Sequence, residues 1–333
     1  MNWDNRKVLV TGADGFIGSH LAEALATAGA DVTALALYNS FDSFGWLDDL
    51  PVSVRDSMRL VRGDIRDPHQ MAKLCRDQNF VFHLAALIAI PYSYDAPSSY
   101  VQTNVQGTLN VLSAAADAGV SRIIHTSTSE VYGTAQFTPI TEDHPIVGQS
   151  PYSASKIGAD MIAESFFRSF QTPVITVRPF NTFGPRQSER AVISTAIRQA
   201  LDSRCETLRI GDLAPTRDFN YVADTVTAFI KVACLDEAQN GQAFNVGTGR
   251  MVSIGDMLDE VRRITGCDKP ILQETIRTRP ADSEVMALMA DATRLNQACD
   301  WVPTHDLTAG LEKTIEWWSA RMDLVRDDSG YMV

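Results

Sequence analysis

Short apolar runs alternate with longer stretches of three-to-four-residue periodicity through the first half of this chain. Residues 7–11 (Lys-Val-Leu-Val-Thr) read as a strand, and Gly12-Ala13-Asp14-Gly15-Phe16-Ile17-Gly18 follows at once. Residues 19–28 then read as a helix that Gly29 is suited to end. Further strands are expected at 31–37, 58–62, 80–84, 122–126 and 174–178, and helices at 68–77, 98–118 and 154–170. Strand and helix in turn imply a parallel sheet with both faces covered. The expected class is α/β: a Rossmann-type doubly wound parallel sheet with a smaller C-terminal substrate-binding lobe. Residues 1–178 would form the dinucleotide-binding domain, with 216–246 returning to it. Residues 179–215 and 247–330 would form the lobe, because 179–186 is too rich in Pro and Gly for a regular element.

Composition narrows the function. A formal net charge of -12 over 333 residues argues against nucleic acid or an anionic membrane as partner. Five widely spaced cysteines without a Cys-x-x-Cys pair fit reduced thiols in a cytoplasmic protein, with no metal site expected. No apolar run approaches spanning length, the first residues lack a signal region, and 326–330 read as a frayed tail.

The glycine stretch carries the first candidate chemistry. Strand, glycine turn and helix together favour dinucleotide binding, although the spacing is Gly-x-x-Gly-x-x-Gly. Gly12 would allow the tight turn, Gly15 the approach of a pyrophosphate, and Gly18 the packing of helix on strand. Phe16 and Ile17 would present the helix N-terminus to the phosphates. Asp64 is expected to accept from the adenine amino group, with Ile65 beside it, and Leu84, Ala85 and Ala86 to let the cofactor lie against a strand end. The second strand ends without the ribose-binding acid and without an arginine, which leaves NAD and NADP both open. His83, inside an apolar run, reads as a core histidine.

The second candidate site is Tyr152-Ser-Ala-Ser-Lys156. Four residues apart on a helix, Tyr152 and Lys156 share one face, and an ammonium beside a phenol lowers its pKa toward that of a working base. Such a base could take a proton from a sugar hydroxyl while a nicotinamide takes the hydride. Thr128 and Glu130, just beyond the strand at 122–126, would lie at the same sheet edge, adding a hydroxyl and a carboxylate. Arg186, Arg190, Arg209, Arg217, Arg277 and Arg279 form a candidate diphosphate clamp.

Thr11-Gly-Ala-Asp-Gly-Phe-Ile-Gly18, His83-Leu-Ala-Ala86, Tyr152-x-x-x-Lys156, Arg178-Pro-Phe-Asn181, Arg217-Asp-Phe-x-Tyr-Val-x-Asp224 and Phe244-Asn-Val-Gly247 occur in that order. Over nearly its whole length the chain thus resembles the extended short-chain dehydrogenases/reductases of the nucleotide-sugar epimerase/dehydratase type. Thr128-Ser129-Glu130 resembles the GDP-mannose 4,6-dehydratases, in which a carboxylate abstracts the sugar C5 proton. Dehydratases acting on dTDP-glucose carry Asp where Ser129 stands, and the UDP-glucuronate decarboxylases share Thr-Ser-Glu. Residues 38–47, 83–93 and 178–188 most resemble the N-acetylglucosamine 4,6-dehydratases of legionaminic-acid-type pathways. The resemblance implies a 4,6-dehydratase of a GDP- or UDP-linked amino sugar, with a decarboxylase or a 4-epimerase as the alternative. It implies Thr128, Glu130, Tyr152 and Lys156 as catalytic groups, and NAD (or NADP) as cofactor. Ser93, Asn181, Arg190, Arg217 and Arg279 would hold the nucleotide sugar. A homodimer through the two long helices would use Ala114, Ala115, Ala159 and Phe166, which serve equally well as intramolecular core.

Overall fold

The computed structural model describes residues 2–277 and 280–322, so the tail at 326–330 lies outside the described residues. A seven-stranded parallel sheet runs in the order Ala243–Val246, Val174–Pro179, Arg122–Thr126, Phe80–His83, Lys7–Thr11, Asp31–Leu37, Arg59–Gly63. The chain starts in the middle, builds to one edge, then crosses over Lys7–Thr11 to build the other. At such a reversal the connections leave in opposite directions and open a crevice at the strands' carboxyl ends.

Side chains switch face at every residue of a strand, and the apolar pattern uses both faces. Leu9, Leu35, Val81, Ile123 and Val174 pack on one side with Met71, Leu74, Val111, Leu112 and Ala163. Val8, Val10, Val32, Ala34, Phe80, Phe82 and Ile124 pack on the other with Leu21, Leu25, Val226 and Phe229. Three two-stranded pairs lie apart from the sheet: Asn181–Phe183 with Phe219–Tyr221, Thr216–Arg217 with Val252–Ser253, and Leu208–Ile210 with Ile271–Gln273. Among the described residues no helix is long and apolar enough to cross a membrane.

Two expectations are corrected, and a choice left open is narrowed. The helix at 98–118 is interrupted: Pro97–Tyr100 leads into a π-helical turn, Val101–Gln106, before Gly107–Asp117. The widened turn accompanies an inward Asn104, whose amide donates to the Leu87 carbonyl and the Ser155 hydroxyl and accepts from the Leu87 N–H. Hydrophobic period is blind to such a polar anchor. The Pro- and Gly-rich stretch after residue 179 contains the strand Asn181–Phe183, since its prolines flank that strand and do not interrupt it. Finally, Ala114, Ala115 and Ala159 are buried within the chain and Phe166 packs against the same core. The large apolar side chains those helices expose are Val101, Met161 and Phe170.

Trp301 is the largest fully buried side chain, and its indole N–H donates to the Asp224 carbonyl at 3.1 Å. Trp301→Ala is expected to cost about 3–5 kcal/mol, read as a lower urea midpoint.

Candidate active site

The glycine turn lies under the end of the fourth sheet strand. At Gly12 (φ +69°) a Cβ would sit 2.7 Å from the Ala85 nitrogen, and at Gly18 it would sit 2.0 Å from the Gly12 carbonyl oxygen. Only glycine fits at either position. Gly15 is exposed and caps the helix Phe16–Thr27, whose first turn has no side-chain cap and no acid. Its N–H groups are therefore left for an anion. These residues fit the diphosphate of a dinucleotide. Leu84, Ala85 and Ala86 are half-buried beside the turn, and Ile65 is buried against Gly107.

Asp64 is gripped by the Arg66 guanidinium, which holds its carboxyl below the ordinary value; burial opposes this. An arginine does reach the end of the second strand, contrary to expectation. The Arg62 guanidinium lies 3.9 Å over the Phe44 ring and 2.7 Å from the Asp42 carboxylate. Arg62 is 23 residues beyond Asn39 in sequence and arrives only through the pairing of adjacent strands.

Tyr152 and Lys156 lie on the helix Pro151–Phe170, which starts with a Ser150/Ser153 capping box and Pro151 in its first turn. The Thr128 hydroxyl and the Glu130 carboxylate both lie close enough to the Tyr152 phenol to act on its ionisation. Thr128 also caps the turn Ser129–Tyr132 by accepting from the Glu130 N–H at 3.2 Å. Thus one hydroxyl, one phenol and one carboxylate meet at the sheet's carboxyl edge. The expected lowering of the phenol is not observed. Burial pushes Tyr152 up, Thr128 pulls it down, and Glu130, Tyr100 and Asp160 add to the rise. The Lys156 amine donates to the Thr126 carbonyl at 2.7 Å. Burial lowers Lys156 to about 8, against the pull of Asp160.

Sequence reasoning missed the charges behind this pair. Asp160, one turn beyond Lys156, accepts from His125 Nε2 (3.0 Å), Ser127 Oγ (2.8 Å) and Arg178 Nε and Nη2 (3.2 and 3.1 Å). Burial alone would raise its carboxyl, yet His125, Arg178 and Lys156 hold it below the ordinary value. Arg178 continues to the Tyr132 hydroxyl at 3.0 Å, and Tyr132 to Asn245 Oδ1 at 2.7 Å. The spacing Tyr152, Lys156, Asp160 was the available signal. His83 is a bonded core histidine, between the Thr11 and Thr108 hydroxyls at 2.9 Å each. Burial drives it well below its ordinary pKa.

Several of the candidate arginines are paired with carboxylates. Arg186 pairs with Glu23 at 2.7 Å, and Arg209 and Arg277 both reach Glu274. Arg217 is buried and bonds Glu284 at 2.8 Å and the Thr216 carbonyl at 3.0 Å. Arg190 is exposed and near enough to Tyr100, whose ring packs edge-on against Tyr152, to act on its phenol. Asn181 has a buried Oδ1 without a hydrogen-bond partner. Ser93 is buried and donates to the Ile90 carbonyl at 2.6 Å. Arg279 lies outside the described residues.

A family model described as GDP-mannose 4,6 dehydratase matches residues 9–314. The chain belongs to the GDP-mannose 4,6-dehydratase family. Similar to it is the dTDP-glucose 4,6-dehydratase of Streptomyces griseus, 34% identical over 315 residues that cover 93% of each chain. The UDP-glucose 4-epimerase of Mycolicibacterium smegmatis is 32% identical over 318 residues, 94% of this chain and 98% of that one. Among solved structures, a double mutant of the dTDP-glucose 4,6-dehydratase DesIV of Streptomyces venezuelae, bound to NAD, matches with a TM-score of 0.85. It is 28% identical, over 96% of this chain and 98% of that one.

Asp160→Asn would leave the buried Lys156 and Arg178 cations without their anion. The expected cost is about 3–5 kcal/mol of stability, measured by urea unfolding.

Proposed function

We propose that this chain is an NAD-dependent nucleotide-sugar 4,6-dehydratase acting on an N-acetylglucosamine carried by GDP or UDP. The observation that carries the reading is Glu130 beside the Thr128–Tyr152 pair. A 4-epimerase has work for the hydroxyl and the phenol but none for a carboxylate at C5. The amino sugar rests on the resemblance of residues 38–47, 83–93 and 178–188 to dehydratases of legionaminic-acid-type pathways.

Bound NAD supplies a hydride acceptor at C4 and a hydride donor at C6. The turn at Gly12, Gly15, Phe16, Ile17 and Gly18 would hold its diphosphate, and Asp64, Ile65 and Leu84–Ala86 would line its path. Tyr152 takes the O4 proton, and Thr128 bonds O4 and fixes its direction. Lys156, as ammonium, favours the phenolate that results. The C4 ketone acidifies C5–H, and Glu130 removes that proton. The chain then holds two protons, and two must be returned: one to the departing C6 hydroxyl and one to C5. Ser129 is buried and its hydroxyl is too weak an acid for the first of these, so Glu130 or water delivers it. Asn181, Arg190, Arg217 and Arg279, with Ser93, would bind the nucleotide sugar. Segments 179–215 and 247–330 would form the lobe around it, and the protein would act as a homodimer.

The test is product mass after incubation with GDP- and UDP-N-acetylglucosamine. Loss of one water is expected; unchanged mass would point to an epimerase, and carbon dioxide from UDP-glucuronate to a decarboxylase. Glu130→Gln should keep NAD binding and lower the rate by about 100-fold or more. Lys156, lowered to about 8 by burial, is mostly protonated at neutral pH and loses its proton as pH rises through about 8. Activity is therefore expected to fall on the alkaline side near pH 8, in a pH–rate profile.

A further inference from the structure

The second strand ends in Ala36 and Leu37, where a dinucleotide-binding fold ordinarily places the acid for the adenosine ribose. A carboxylate reaches that place from another segment. Asp14, inside the glycine turn, accepts the Leu37 N–H on Oδ2 at 3.1 Å, and no other described residue bonds its Oδ1. Its position is held on the far side too. The Asp14 carbonyl accepts the Trp46 N–H at 3.1 Å, and Gly45 (φ +59°) packs so closely that a Cβ there would lie 2.6 Å from that oxygen. Asp14 is thus wedged between the turn that takes the diphosphate and the strand end that takes the adenosine.

We propose that Asp14 is the cofactor-specificity residue of this chain: its carboxylate accepts the adenosine ribose hydroxyls of NAD and repels the 2′-phosphate of NADP. Asp14 stands between Gly12 and Gly15 in the same turn, and its bond to the Leu37 N–H brings a carboxylate to the strand end without one in the second strand itself. Arg62 does not reverse the preference. Its guanidinium is already matched by Asp42 and held over Phe44, which leaves the two carboxylates in excess of the one cation. The inference rests on NAD as cofactor and is independent of which sugar reaction follows.

The experiment is equilibrium titration of the purified full-length protein, any co-purifying nucleotide first exchanged out, with NAD, NADP and 2′-deoxy-NAD. The unaltered protein should bind NAD tighter than both others by about tenfold or more. In Asp14→Asn, NAD should weaken by about tenfold, NADP should bind as well or better, and the penalty for 2′-deoxy-NAD should disappear. Two results would overturn the proposal: unaltered protein that binds 2′-deoxy-NAD as tightly as NAD, or a folded Asp14→Asn protein whose NAD-to-NADP ratio is unchanged. The first needs no mutant, so a variant that misfolds does not shelter the idea. Neither readout involves the sugar, so a failed dehydratase assay would leave this result standing.

Discussion

One buried carboxylate holds the working edge of this sheet together. Lys156 and Arg178 are both buried cations, and Asp160 lies between them with every contact a charge-assisted or hydroxyl hydrogen bond. Two cations in a low-dielectric interior would repel and shed a proton; one anion makes them tolerable. Asp160 is on the Tyr152 helix, Arg178 on a sheet strand, and Ser127 and His125 on the next strand and its exit. Satisfying that carboxylate therefore sets the distance of the helix from the sheet, and with it the distance of Tyr152 from Thr128.

The network also limits how far the site can shift. From Arg178 it passes through Tyr132 to Asn245 on the edge strand, and the Asn245 N–H donates to Glu142 at 2.8 Å. Tyr132 ends the turn that carries Thr128 and Glu130. The two acid–base elements are thus tied to a common set of buried bonds, and a change in one drags the other. Apolar packing alone, which tolerates sliding, could not hold a carboxylate and a phenol in mutual register.

The sheet was legible because its signals are local. Period-two and continuous apolar runs mark strands, and the glycines of 12–18 sit where a Cβ would strike Ala85 or the Gly12 carbonyl. Tyr152, Lys156, Thr128 and Glu130 were brought together by a general property of parallel sheets, that strand ends share one edge. What escaped was set by distant partners. Nothing near Arg62 announces Asp42 and Phe44, and nothing near Arg186 announces Glu23. The carboxylate partners of Arg209, Arg217 and Arg277 were equally out of reach of local sequence. The phenol's pKa was misjudged for a similar reason: helical spacing showed which groups are neighbours but not how completely the pocket is dry.

The family relations sharpen what the scaffold can and cannot decide. A dehydratase and an epimerase are both about one-third identical to this chain over nearly its whole length. Fold, cofactor cradle, phenol and amine are the equipment for oxidising a sugar at C4, and either reaction begins there. The reactions part at the next bond. To expel the C6 hydroxyl, a base must reach C5 while the C4 ketone exists; to invert C4, the ring must turn and nothing need touch C5. A carboxylate held within electrostatic reach of the phenol serves the first task and burdens the second, because its charge opposes phenolate formation. An enzyme that only inverted C4 would gain by removing it. The proposed elimination of water gives Glu130 a task at C5 that offsets this cost, whereas inversion at C4 gives it none.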